Sequence, residues 1–219
     1  MEQITTNTNS NNNKRPFSPE TIRRLSLYLR NLKGLKEKEV DIVSSEEIAK
    51  SLGISSPQVR KDLSYFGGFG KRGVGYSVGN LSREIEQILG MNRTWEIALV
   101  GVGRLGSALL RFPGFSQFKL KIIAAFDADP EKIGKTKSGI NIENISNLKK
   151  VLKQKNIKII MVCVPPEYAQ EIADMAIKAE ARAILNFAPV FLKVPENVYV
   201  SNVDMACELE TLIYFLNTR

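Results

Sequence analysis

The sequence predicts an α/β protein built from two unlike halves and a closing helix. Three observations predict it. Capped helical segments near the start give way to five glycines in the twelve residues Gly67–Val78. From Trp95 onward, continuous apolar runs alternate with helical stretches, as buried parallel strands with crossover helices require. A last apolar stretch from about Asp204 has helical spacing and no strand after it. With 219 residues, 43 % of them apolar, both halves have material for a core.

Residues 1–15 are rich in Asn and Thr and have almost nothing to bury, so a disordered tail is expected. Ser18-Pro19-Glu20 is an N-cap followed by proline in the first turn. Ile22, Leu25, Leu29 and Leu32 follow at helical spacing, and Gly34 is expected to break this first helix. Ser44 with Glu47 forms a capping box for a second helix, which Gly53 ends. A third starts at Ser55 or Ser56, with Val59, Leu63 and Phe66 on one face. The glycine-rich segment reads as a two-stranded ribbon turning near Lys71-Arg72-Gly73. A connecting helix carries Leu81, Ile85, Ile88 and Leu89. Strands are expected at Ile97–Val100, Lys121–Phe126, Ile157–Val164 and Ala183–Phe187. Helices are expected at Leu105–Phe112, Ile145–Lys153, Glu167–Ala179 and from Asp204 to Asn217. The domains are then 16–80, a connection at 81–94, 95–203, and a terminal helix at 204–219.

Composition removes whole classes of chemistry. The chain has no histidine, which excludes a His general base, a His-relayed nucleophile and His-containing zinc sites. Cys163 and Cys207 are too far apart for a CxxC motif, so a reduced chain and no metal are expected. No run of about 18 apolar residues marks a membrane span. No apolar segment of the secretory kind opens the chain, and a soluble cytoplasmic protein is expected. The net charge of +8 suits an anionic partner.

Three helices and a glycine-rich ribbon are the order of a winged helix-turn-helix. The turn Leu52-Gly53-Ile54-Ser55 is short, as that motif requires. The third helix would enter a DNA major groove by its N-terminal end. Ser55, Ser56 and Gln58 stand there, and Gln can pair with adenine through two hydrogen bonds. Arg60 and Lys61 can reach guanine or phosphate, Tyr65 can reach phosphate, and the tip Lys71-Arg72-Gly73 can reach backbone or minor groove. Between Ser55 and Tyr76 four residues are basic and one, Asp62, is acidic. An ordinary three-helix domain with a solvated basic face is the other reading.

The strand at Trp95–Val100 runs into Gly101-Val102-Gly103-Arg104-Leu105-Gly106 and then a helix. This is GxGxxG in the context of a Rossmann-type sheet. Gly101 allows the tight turn, Gly103 admits a pyrophosphate, and Gly106 lets helix and strand pack closely. Asp127 ends the next strand, 21 residues after Gly106. A carboxylate there accepts the adenosine ribose hydroxyls and repels a 2′-phosphate, which favours NAD(H) over NADP(H). Lys132 is the nearby cation that argues the other way. Val164-Pro165 and Asn186-Phe187-Ala188-Pro189 close later strands at the carboxyl edge. An apolar wall there can tell a neutral reduced nicotinamide from the cationic oxidised ring. An S-adenosylmethionine site would use a similar glycine turn and carboxylate.

A dehydrogenase needs a general acid or base beside the nicotinamide. Histidine is missing, no Tyr is followed by Lys four residues later, and no further substrate domain follows the sheet. A DNA reader joined to a dinucleotide site makes the dinucleotide a signal rather than a catalytic cofactor. A small NAD-dependent oxidoreductase with an N-terminal binding module is the alternative.

The segments RRLSLYLRNL, VSSEEIAKSLGISSPQVRKDLSYFGGFGKRGVGY, ALVGVGRLGSALL, AAFDADPEKIG, ILNFAPVFLKVP and NVDMACELETL closely resemble the Rex family of bacterial redox-sensing repressors. The resemblance runs from about Phe17 to Phe215. It implies a homodimer that exchanges its C-terminal helix between subunits. It implies binding to palindromic double-stranded DNA operators when NADH is low and release by NADH, with NAD⁺ a weaker competitor. It further implies that Arg24 and Asp204 join a network coupling the subunits. Phe112 stands where many family members have a tyrosine hydroxyl in that network.

Overall fold

The computed structural model describes residues 17–71 and 73–218, without the side chain at 71. The expected tail and Arg72 lie outside the described residues. The chain divides into two units, Met1–Asn92 and Arg93–Arg219.

In the first unit, helix α1 spans Pro19–Glu37 and Ser18 caps it by accepting the Thr21 N–H at 3.2 Å. Leu25, Tyr28, Leu29 and Leu32 form its buried stripe. The helix passes through Gly34 and does not break there. Leu35, packed against the core, offsets the roughly 1 kcal/mol that an interior glycine costs. A short strand β1, Ile42–Val43, follows. Helix α2, Ser45–Leu52, has the capping box of Ser44 and Glu47 and ends at Gly53 with φ +66°. Helix α3, Ser56–Ser64, is capped by Ser55, which accepts the Gln58 N–H. Strands β2, Gly70–Lys71, and β3, Gly75–Ser77, form the expected ribbon. β1 adds to it, giving an antiparallel sheet of order β1-β3-β2. Helix α4, Val78–Ile88, is more than a connection. Its Leu81 and Ile85 are fully buried in one core with Leu25, Ile48 and Leu63.

The second unit starts with β4, Trp95–Val100, and α5, Arg104–Leu110, followed by the single turn α6, Gly114–Gln117. Then come β5, Leu120–Asp127; β6, Thr136–Lys137; β7, Ile140–Asn144; and α7, Leu148–Gln154. The last elements are β8, Ile159–Val162; α8, Pro166–Lys178; β9, Ala183–Asn186; β10, Tyr199–Asn202; and α9, Met205–Asn217. The sheet order is β10-β9-β8-β4-β5-β7-β6. All neighbours are parallel except β6 on β7. Counted along the six parallel strands, this is 3-2-1-4-5-6, the dinucleotide-binding order. The order reverses between β4 and β8, where Val100 pairs with Val162, and ligands of such sheets bind just beyond those ends. Alternate β4 residues face opposite cores. Ala98 and Val100 lie with Phe126 and Ile160, while Leu99 lies with Ala125 and Met161. That two-sided burial is why the strand reads as a continuous apolar run.

Candidate functional site

The β4–α5 turn sits at that switch point, and its glycines differ in purpose. Gly101 has φ +93°, and a Cβ there would lie 2.4 Å from the Cys163 carbonyl oxygen. A Cβ at Gly106 would lie 2.0 Å from the Gly101 carbonyl oxygen, so a side chain would push helix from strand. At Gly103 a Cβ would meet nothing within 4 Å, and that open space lies at the helix start.

Asp127 is buried and faces this turn. It accepts the Val102 N–H at 2.7 Å, the Asp129 N–H at 2.9 Å and Lys132 Nζ at 3.2 Å. Burial works to raise its pKa, but the two backbone N–H groups and Lys132 together hold it below the ordinary value. A carboxylate has roughly four acceptor positions, so about one is left for a ribose hydroxyl. Lys132 also pairs with Asp129 at 3.3 Å and is a third exposed, so it can swing aside cheaply for a second hydroxyl.

Beside Asp127 opens a cleft of about 680 Å³ lined by Gly101, Gly103, Lys132, Val164 and Pro165, within the size range of small-molecule sites. Tyr168, Ile172 and Met175 of α8 complete its wall. The expectations had missed them, although the Pro165-Pro166 start of α8 points to that edge. Val102 is buried, whereas Arg104 and Leu105 are exposed. Arg104 instead lines a shallower depression of about 520 Å³, with Arg111, Lys132 and Lys137. Cys163 also lines the main cleft, and desolvation pushes its thiol up to about 12, so it stays protonated and poorly nucleophilic.

The second expected wall is arranged differently. Asn186 is fully buried and its amide fastens its own loop. Nδ2 donates to the Ala188 and Val190 carbonyls and to Asn202 Oδ1, while Oδ1 accepts the Ala188 N–H. Phe187 is half-buried against the core, Ala188 is buried and Pro189 is exposed. None of these four lines the cleft beside Asp127.

In the first unit some of the expected DNA-facing side chains are held by neighbours. Arg60 Nη1 donates to Ser45 Oγ and Glu46 Oε1, both at 2.9 Å, and to Ser56 Oγ at 3.3 Å. Lys61 and Tyr65 are exposed, and Gly73, φ +81°, lies in the ribbon turn. Arg60, Glu46, Gly68 and Tyr76 line a groove of about 520 Å³ between α3 and the ribbon.

Behind α3 lies a feature the sequence concealed. Asp62 is fully buried and receives four hydrogen bonds. Arg24 donates through Nε at 2.5 Å and Nη2 at 2.8 Å, Tyr28 through its hydroxyl at 2.7 Å and Gln58 through Nε2 at 2.8 Å. Burial raises the Asp62 pKa, but these donors outweigh it and hold the carboxyl below its usual range. Arg24, expected in a coupling network, therefore has its partner within its own unit. Of the two other coupling residues, Phe112 packs edge-on against Phe115 and Asp204 caps α9 through the Ala206 and Cys207 N–H groups. No metal-ligand cluster and no helix fit to cross a membrane occurs among the described residues.

These features define a class, a DNA-reader fold joined in one chain to a dinucleotide-binding fold. Known proteins agree. Residues 17–64 match the family model "Putative DNA-binding protein N-terminus", and residues 92–190 match "CoA binding domain". The redox-sensing transcriptional repressor Rex of Chloroflexus aggregans is 44 % identical over 89 % of this chain and 92 % of its own. That of Desulfitobacterium hafniense is 48 % identical over 91 % of this chain and 95 % of its own. The crystal structure of RSP in complex with β-NAD⁺ and operator DNA superposes with a TM-score of 0.88, at 34 % identity, covering 92 % of this chain and 93 % of the other. RSP in complex with β-NADH gives 0.85 at 32 % identity, covering 94 % and 96 %. The chain belongs to the Rex family of redox-sensing transcriptional repressors.

Proposed function

We propose that this chain is a cytoplasmic transcriptional repressor that senses the NADH/NAD⁺ ratio, binds palindromic operators as a homodimer when NADH is low, and leaves them when NADH binds. The observation that carries the reading is the pairing of Asp127 with the open face of Gly103 at the switch point of the sheet. The residues fit a dinucleotide. The α5 start would hold the pyrophosphate, Asp127 the ribose hydroxyls, and the cleft lined by Val164 and Pro165 an apolar ring system. When bound, the dinucleotide supplies the signal, a nicotinamide that is neutral when reduced and cationic when oxidised. Coenzyme A, suggested by one family model, carries a phosphate on its adenosine ribose, which the Asp127 carboxylate would repel.

The relatives are named repressors, which favours this reading over the oxidoreductase. Helix α9 supports the dimer. It has no buried residue, and Leu209, Leu212, Ile213, Phe215 and Leu216 are all more than half exposed. An apolar surface of that kind calls for a partner surface.

By linkage, a ligand that weakens DNA binding must itself bind more weakly when DNA is present. A hundredfold loss of operator affinity corresponds to about 2.7 kcal/mol. The test is NADH affinity measured with and without saturating operator. Weaker binding in its presence is expected, and equal affinities would overturn the sensor.

A further inference from the structure

Resting on the reading of α3 as the DNA-recognition helix, we infer that Asp62 is a positioning residue that fixes the Gln58 side chain in the orientation that reads adenine.

A glutamine amide can turn either its oxygen or its nitrogen toward a neighbour, and on a helix surface it ordinarily does both. Gln58 and Asp62 are four residues apart on α3, so they share a face. An ionised carboxylate accepts hydrogen bonds and donates none, so only the nitrogen of Gln58 can face it. The 2.8 Å bond from Nε2 to Asp62 Oδ1 therefore removes the amide flip. The nitrogen carries two hydrogens. One is engaged by Asp62. With the hydrogen trans to the carbonyl assigned to Asp62, the cis hydrogen and the oxygen form the free edge of the amide. That edge is the donor–acceptor pair that matches adenine N7 and N6. Held this way, Gln58 presents its donor and acceptor in one fixed order.

Asp62 can do this because it is itself immobile. Its side chain is 0 % exposed, and Arg24 and Tyr28 of α1 hold both of its oxygens. Arg24 supplies the countercharge that lets a buried carboxylate stay ionised and acceptor-only. The orientation of a half-buried reading group is thus set from the inside of the domain. Preorganisation of this kind lowers the ordering cost on binding and penalises bases that need the opposite order.

The test uses the full-length protein and a pool of operator fragments varied one base pair at a time. Wild type should prefer adenine at one position of each half-site. Asp62→Asn, nearly the same shape, lets both amides flip. It should cut that preference about tenfold, leaving preferences elsewhere and NADH affinity unchanged. In a Gln58→Ala background, Asp62→Asn should change the preference no further. An unchanged preference in Asp62→Asn overturns the inference, as does an equal further loss in the Gln58→Ala background. If Asp62→Asn does not fold, the Gln58 side-chain amide of the wild type decides by NMR. Slowly exchanging, inequivalent protons support the inference, and rapid exchange like that of a free glutamine overturns it. A wild type with no base preference at any position is a different failure, that of the DNA-recognition assignment on which this inference rests.

Discussion

The proposed function gives a ligand to each of two helix starts, and the two are made of opposite materials. At α3 the start is built over with side chains that bond one backbone N–H and one another. Ser55 caps it, Ser56 meets Arg60, and Gln58 reaches back to Asp62. At α5 the cap is Gly103, which has no side chain, so the first N–H groups stay open. A helix that reads a sequence must present side chains in defined orientations and needs a scaffold to hold them. A helix that holds a phosphate must present backbone and needs side chains removed. The first solution depends on a buried charge network, the second on glycine and one fixed carboxylate.

If that contrast is right, the units should break separately. Asp62→Ala should have the largest effect, because it leaves Arg24 and Tyr28 beside an empty site with a stranded charge. Breaking one side of a buried pair costs about 3–5 kcal/mol. The first unit should melt early and operator binding should be lost, while the second unit keeps its NADH affinity. Calorimetry with a parallel NADH titration checks this, and loss of both activities together would refute separate scaffolds. The same carboxylate sets an acid limit. Its folded pKa lies below the ordinary 3.8, so its stabilisation is present above that value and is lost as pH falls through the folded pKa.

Asp127→Ala should come next and strike the other unit alone. Hydrogen bonds to a charged group are worth about 1.5–3 kcal/mol, so NADH affinity should fall roughly 10- to 150-fold. NADPH should lose less, because repulsion of its 2′-phosphate disappears too, and the preference between the two should shrink. Direct titration of both dinucleotides decides it. A wild type that binds NADPH as well as NADH would remove the role assigned to Asp127.

The contrast also explains what the residues disclosed before folding. The glycine turn was legible because its demands are local. Gly101, Gly103 and Gly106 have fixed spacing, and Asp127 follows at the end of the next strand. The capping serines 18, 44 and 55 were legible for the same reason. Asp62 was not, since its burial depends on Arg24 and Tyr28, more than thirty residues away. In the sequence it is only the one acidic residue in a basic stretch. Arg60 reads as a free DNA-facing group because nothing local announces Glu46, fourteen residues away, as its partner; Asp62 stands one helical turn after Gln58, a spacing that does signal the pair. Asn186 reads as a wall of the site, yet the turn at Ala188–Val190 folds back onto its amide. Strands β1 and β6 have two residues each, too few for any alternation to show.

The smallest effect probes whether the bonded side chains at α3 are held in reserve or locked. Arg60 and Glu46 are 2.9 Å apart but half or more exposed, and such a pair contributes about 0–1 kcal/mol. Glu46→Gln should therefore leave the melting temperature of the first unit almost unchanged. Its effect should appear in DNA binding instead. The carboxylate competes with phosphate for Arg60, so removing it frees one cation and deletes one repulsive charge from the groove beside the ribbon. Non-specific affinity should rise, and the slope of log affinity against log salt should steepen by up to about 0.9, the value of one phosphate contact. Lys61→Ala should shift that slope by about one in the opposite direction, since Lys61 is an exposed cation on the same helix. NADH affinity should stay constant in both variants. Salt titrations on a random-sequence duplex would show the two slopes moving apart on either side of the wild type, and a Glu46→Gln slope equal to that of the wild type would mean that Arg60 stays fastened to Ser45 and Ser56 and serves the fold rather than the DNA.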